Sequence, residues 1–124
     1  MTAGDIYTIA GDGATGYSGD GGPATKAAVG PESVTFDAAG NLVLADTFNN
    51  RARVVAVRTG TFFGQNMIAG DIYTIAGNGT FGFAGDGGPP RKAELWRPAG
   101  VLVTSAGSLL IADQSNNRVR MVTG

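Results

Sequence analysis

The residues most able to do chemistry come in matched pairs. Asp46 stands before the turn Asn49-Asn50 and Asp113 before Asn116-Asn117, and carboxylates so placed are the nearest thing here to catalytic acids or bases. Asp20 and Asp86 each sit in Gly-Asp-Gly-Gly-Pro, with Asp12 or Asn78 nearby, and offer oxygens to a calcium ion. Arg51 with Arg53, and Arg118 with Arg120, could grip an anion. Gly11 to Gly16 and Gly77 to Gly82 both read Gly-x-Gly-x-x-Gly, the spacing that lets backbone approach a phosphate.

Each pattern also has a structural reading. A dinucleotide fingerprint needs a helix next, whereas Gly19, Gly21, Gly22 and Pro23 break one; neither copy ends in the Gly-Lys-Ser/Thr of a P-loop. Calcium normally takes six or more oxygens, and no EF-hand spacing occurs, so Asp20 and Asp86 read as Asx-turn residues. Asp46 and Asp113 read as turn residues bonded to local backbone. The arginine stems are expected to cover neighbouring strands while the guanidinium groups meet Asp or carbonyl groups. The chain has no histidine and no cysteine, which excludes His-based catalysis, the usual zinc sites and disulfides. No residue is assigned to catalysis, cofactor or metal.

These residues are positioned by a repeat. Met1 to Gly11 reads MTAGDIYTIAG and Met67 to Gly77 reads MIAGDIYTIAG; the register holds at a period of about 66 residues and slips by one before Pro31 and Pro98. Residues 1–66 form the first repeat and residues 67–124 the second. Strands are predicted at Asp5 to Ala10, Ser33 to Asp37, Leu42 to Ala45 and Arg51 to Val57, and again at Ile72 to Ala76, Gly100 to Thr104, Leu109 to Ala112 and Arg118 to Val122. Each run is short, rich in β-branched and aromatic residues, and bounded by Gly, Asn and Asp. The inner strands thus occupy 33–57 in one repeat and 100–123 in the other. Ala24 to Val29 and Pro90 to Leu95 offer only a 3₁₀ or α turn. Arg58 to Ala69 reads as an insertion that Phe62, Phe63 and Met67 tuck onto the sheet. With 21 glycines, 43% hydrophobic and 15% charged residues, the chain predicts an all-β, up-and-down antiparallel fold.

Nine basic and ten acidic residues leave a net charge of −1, without the basic stripe that nucleic-acid binding requires. No apolar run has the roughly 20 residues of a membrane-spanning helix, so neither nucleic acid nor membrane is expected as a partner. MTAGDIY is not a signal peptide, and the compartment stays unassigned.

At Pro98-Ala99-Gly100-Val101, Gly107 to Asp113 (GSLLIAD) and Asn116-Asn117-Arg118-Val119-Arg120, the chain resembles the NHL-repeat family of β-propellers. Gly40 to Asp46 (GNLVLAD) and Asn49-Asn50-Arg51-Ala52-Arg53 repeat the resemblance, and IYTIAG followed by GDGGP resembles the long-loop bacterial version. Glu32-Ser33 and Thr104 depart from the pattern. The resemblance implies two four-stranded antiparallel blades per chain, assembling into a closed propeller of about six, and a parent protein that is bacterial and extracytoplasmic. Residues 72–76 would be the outermost strand of the middle blade, and residues 5–10 that of a blade lying upstream. The chain reads as a piece excised or engineered from a longer array or as a naturally short chain, and the start in register at Met1 favours the piece.

Two blades cannot close a ring, and each open face would leave Val, Leu, Ile and Phe in water. The expected partner is therefore the chain itself, as a cyclic homo-oligomer, trimer first and tetramer second. Its interface would engage Ile6, Tyr7 and Ile9 with Arg118, Arg120 and Val122 by strand addition. Trp96, Arg91 and Arg97 break the repeat symmetry, since Gly30 and Thr25 occupy the corresponding region. With Tyr17, Phe81 and Phe83, the residues Arg91 and Trp96 form a candidate recognition rim; aromatic packing between blades is the alternative. The expected role is a non-enzymatic structural or interaction module. A ligand- or metal-binding, lyase-type propeller is the alternative that the resemblance also admits.

Overall fold

The computed structural model describes residues 1–124 and is built from antiparallel strands joined by tight turns. The first sheet takes β1 (Ser33–Phe36), β2 (Leu42–Asp46), β3 (Arg51–Val55) and β6 (Ile72–Ala76) in the spatial order β1-β2-β3-β6. The second takes β7 (Pro98–Val103), β8 (Leu109–Asp113) and β9 (Arg118–Val122) in chain order. The expected strands of the two inner sets are thus formed, with β7 starting two residues early through a bulge between Pro98 and Gly100.

Turn chemistry explains the register. Asp37 accepts from the backbone N–H groups of Ala39 and Asn41 and from Asn41 Nδ2, which folds the β1–β2 hairpin. Thr104, which departs from the repeat, does the same work in the second sheet by accepting from Ser108 N–H through its hydroxyl. After β2 and β8 the chain makes one 3₁₀ turn and ends it at Asn50 and Asn117, both at φ 54°. Asparagine tolerates that left-handed conformation better than most side chains.

Two elements differ from expectation. The insertion Arg58 to Ala69 is a hairpin of β4 (Gly60–Phe62) and β5 (Gln65–Met67). Its turn runs through Phe63 at φ 50° and Gly64 at φ 72°, the positive values of a two-residue hairpin turn. Met67 is buried in the core, with Phe62 and Phe63 packed against it. Asp5 to Ala10 pairs with no strand, because within one chain nothing lies alongside it. Ile6 is 98% exposed, and Tyr7 and Ile9 are exposed too.

The larger core lies between the sheets, where Val43, Val54 and Ile75 meet Leu109 and Ile111, with Val101 and Val103 at its edge. A smaller core packs Leu44, Val55 and Ile72 under Ala24 and Ala27 of the glycine-rich loop. No helix is long and apolar enough to cross a membrane.

Candidate functional site: two arginine–carboxylate nodes and an open edge

The aspartates Asp20, Asp46, Asp86 and Asp113 and the four strand arginines converge on two nodes, whereas Asp12 and Asn78 accept only from the nearby N–H groups of Ala14 and Thr80. At the first, Arg53 is fully buried and every one of its N–H groups is used. Nε and Nη2 donate to Asp20 Oδ1 at 3.1 and 2.9 Å, and Nη1 donates to Asp46 Oδ2 at 3.2 Å. The carbonyl groups of Ser18 and Ala28 accept the remaining two, at 2.7 and 3.0 Å. Asp46 also accepts from Gly30 N–H and Asn49 Nδ2. Asp20 further accepts from the Tyr17 hydroxyl and from both the N–H and hydroxyl of Thr74. Tyr17 lies under Arg51 and Arg53, with guanidinium carbons 3.5 and 4.7 Å from its ring centre.

The second node repeats the first residue by residue, but lacks one side. Arg120 donates to Asp86, Asp113 and the carbonyl groups of Glu94 and Ala84. Asp113 accepts from Trp96 N–H and Asn116 Nδ2, as Asp46 does from Gly30 and Asn49. Phe83 takes the place of Tyr17, at 3.8 Å from Arg118 and 4.8 Å from Arg120. Nothing stands where Thr74 stands, and the Asp86 side chain is 69% exposed against 29% for Asp20.

This arrangement clamps the glycine-rich loop onto its sheet. Burial alone would raise the Asp20 pKa; the hydrogen bonds of Thr74 and Tyr17 and the Arg53 charge outweigh it and hold the group below its usual value. Burial and the bond to Asp20 push the Tyr17 phenol up. At the N-terminus, the Thr2 N–H bond to the Tyr7 oxygen lowers that phenol. Asp20, Tyr17, Thr74 and Arg53 are all engaged with one another. Asp20 and Asp46 both pair with Arg53, whose five N–H groups are all used, so the node presents no free anion clamp.

The expected rim is only partly assembled. Phe81 and Trp96 meet at 5.5 Å between ring centres, whereas Tyr17 and Phe83 are each other's counterparts in separate nodes. Arg91 lies exposed on the 3₁₀ turn Pro90–Lys92, without hydrogen bond or ion pair. The expected interface residues divide likewise. Ile6, Tyr7 and Ile9 are exposed, Arg118 and Val122 lie on the free edge of β9, and the Arg120 guanidinium is spent within its own node.

Sequence reasoning does not foresee two further features, although Arg97 stands out as a break in the repeat. Arg97, at φ 50°, donates its N–H to Asn50 Oδ1 at 2.9 Å and carries its guanidinium 5.4 Å from the Phe48 ring, tying the sheets together at one rim. Beside β9 opens a cavity of about 930 Å³ whose walls include Asp86, Pro90, Ala93, Ile111, Arg120 and Val122.

No protein-family model matches the chain, and no curated protein does. Among solved structures, it is similar to an auxiliary nutrient binding protein of Bacteroides thetaiotaomicron, at TM-score 0.65 and 21% identity over 93% of the chain. The chain spans 28% of that protein's length. At this identity the likeness concerns the fold alone.

Proposed function

We propose that this chain is a non-enzymatic structural and interaction module: two NHL-type propeller blades that assemble with further copies into a closed ring. The observation that carries the reading is a difference in burial between equivalent positions. On the first sheet Val43, Ala45, Ala52 and Val54 are fully buried, and Val43, Ala52 and Val54 belong to the core shared with the second sheet. Their counterparts Leu110, Ala112, Val119 and Met121 form a face with nothing on it; Val119 is 73% and Met121 57% exposed. At the other end, Val34 and Phe36 are bare, whereas their counterparts Val101 and Val103 pack into the core. The two bare faces are therefore the two halves of the interface already made inside the chain. Stacking copies head to tail would bury both with the same packing, and a constant rotation per blade closes the ring. Three copies give six blades, four give eight, both within the range for propellers.

Light scattering on the 124-residue chain at micromolar concentration tests this. A mass three or four times 12.5 kDa supports it, and a monomer overturns it.

A second reading, ligand or metal binding, draws on the cavity beside β9, where Asp86 and Arg120 stand among apolar walls; no cluster of three His, Cys, Asp or Glu residues there or elsewhere supports its metal form. The similar solved protein is named for nutrient binding. Calcium or zinc titration supports this second reading if the melting temperature rises with cation concentration.

A further inference from the structure

We propose that the cavity beside β9 is a socket for residues 5–10 of a second copy, with Ile6 filling its apolar floor and Thr8 completing the Asp86–Arg120 node. This rests on the ring reading above and specifies the contact that would join the copies.

The first sheet holds the same socket already filled. There Ile72 is buried on Ala24, Ala27, Leu44 and Val55. The counterparts of those four are Pro90, Ala93, Ile111 and Val122, and all four line the cavity. The counterpart of Ile72 is Ile6, the most exposed large hydrophobic residue of the molecule. The polar half matches as well. Thr74 gives both its N–H and its hydroxyl to Asp20, and its counterpart Thr8 belongs to the same segment as Ile6. Asp86, held only by Arg120, keeps one carboxylate oxygen for such a donor pair.

The backbone is ready on both sides. In the filled socket Gly21 N–H donates to Ile72 O, Ile72 N–H to Gly22 O, and Ala24 N–H to Gly70 O. Gly87 and Gly88 repeat the first two groups, while Pro90 has no N–H, so the third bond is not repeated. The segment itself already holds the paired shape. Thr2 N–H meets the Tyr7 hydroxyl oxygen at 2.8 Å, as Ile68 N–H meets that of Tyr73 at 2.9 Å. Asp5 N–H donates to Thr2 O just as Asp71 N–H donates to Ile68 O. Little ordering remains to be done on binding, which favours association.

One chain cannot fill its own socket. Gly11 and Asp12 are pinned to Ala24 and Ala27 as Gly77 and Asn78 are pinned to Pro90 and Ala93. Residues 5–10 therefore stand one blade before the first sheet, and β9 stands one blade beyond it. The register follows from β3 and β6, where Val55 pairs with Ile72, Val54 with Tyr73 and Arg53 with Thr74. Between copies, Val122 meets Ile6, Met121 meets Tyr7 and Arg120 meets Thr8.

The chain has no cysteine, so a paired substitution reports this register directly. Tyr7→Cys with Met121→Cys is expected to give disulfide-linked multimers under mild oxidation, because facing residues on paired strands meet disulfide geometry. Tyr7→Cys with Val119→Cys, two residues off, is expected to give none. Ile6→Asp should raise the concentration at which the assembly dissociates at least tenfold, and Thr8→Val severalfold. Neither should unfold the single chain, where Ile6 touches almost nothing. A monomeric unmodified chain would overturn the ring and the socket together. A ring of full mass that does not cross-link at this register, or that ignores Ile6→Asp, would overturn the socket and leave the ring standing.

Discussion

Replacing Arg53 by methionine should cost this protein a large part of its stability, and the structure says how much. The side chain gives up five hydrogen bonds, two of them to the carboxylate of Asp20 and one to that of Asp46, which is wholly buried. Methionine keeps most of the apolar stem but leaves Asp46 without its counter-ion and the Ser18 and Ala28 carbonyl groups without donors. Removing one partner of a buried pair typically costs about 3–5 kcal/mol, most of it the penalty of the charge left behind. Arg51→Met is the internal control: its guanidinium bonds only the carbonyl groups of Asn49 and Asn78 and lies over Tyr17. That contact is worth about 1 kcal/mol. Urea unfolding followed by circular dichroism, at one fixed protein concentration, should therefore separate the two variants by about 2–4 kcal/mol. In a thermal melt Arg53→Met should fall by roughly 12–20 °C for a domain of this size. A double-mutant cycle with Asp46→Asn should show a coupling of about 1–3 kcal/mol. If Arg53→Met loses less than about 1 kcal/mol, or no more than Arg51→Met, the node is not what holds the loop to its sheet.

Other perturbations follow the same logic of comparing counterparts. Gly77, at φ 90°, has the Asn50 carbonyl and Arg51 Cα where a Cβ would go, whereas Gly87, at φ 83°, faces open space. Gly77→Ala should thus lose about 3 kcal/mol or more and Gly87→Ala about 1, measured by denaturant midpoint. Asn50→Gly keeps the left-handed turn but loses the bond to Arg97 N–H, so it should cost about 1 kcal/mol in the same assay; Asn117→Gly, with no side-chain bond to lose, should be neutral. The carboxyl of Asp20 is held below its ordinary value of 3.8, so its contribution is complete above that pH and disappears as pH falls through the lower folded value. Acid unfolding should steepen below about pH 4, and Asp20→Asn should flatten that limb. The Tyr17 phenol, raised in the fold, supports the folded state below its ordinary value of 10.0 and loses that contribution as pH climbs beyond it. Tyr17→Phe should remove this alkaline loss in a pH-dependent melt.

The strands and turns of this molecule were legible because each is written twice. β-branched runs between Gly, Asn and Asp give β1 to β3 and β7 to β9 almost residue for residue. The pairing of arginines with Asp or carbonyl groups was legible as chemistry, since a guanidinium in a strand must find acceptors. Its partners were not: Asp20 lies 33 residues before Arg53, and no local rule joins a loop carboxylate to a strand that far away. The β4–β5 hairpin escaped because its strands are three residues long and its turn puts Phe63, rather than Asn or Gly, at positive φ. The rim is a different case. Tyr17 and Phe83 stack against arginines in two separate nodes, and no local pattern joins an aromatic in a loop to a strand arginine more than 30 residues away.

The two repeats also act as a control on one another. Between the sheets, burial is a property of position; at the open face, the same positions meet water. If that face were written for solvent, it would carry polar side chains where its counterparts carry apolar ones. The pairs run the other way: Val43 with Leu110, Ala45 with Ala112, Ala52 with Val119 and Val54 with Met121. In each pair the second-sheet member, exposed or half-buried, is as large as the buried one or larger. At about 25 cal/mol per Å², leaving Val119 and Met121 bare and Leu110 half-covered forgoes several kcal/mol, which is comparable to the whole stability of a small domain. A face of that composition is consistent with a covered surface, and under the proposed ring its cover is the face that carries Val34 and Phe36, the counterparts of Val101 and Val103. If the proposed ring forms, Val119→Lys and Met121→Lys should disperse it while leaving the melt of the isolated chain nearly unchanged, since neither side chain is buried in it. A dispersed chain that also melts far earlier would mean that these residues support their own sheet, and the argument from paired positions would fail.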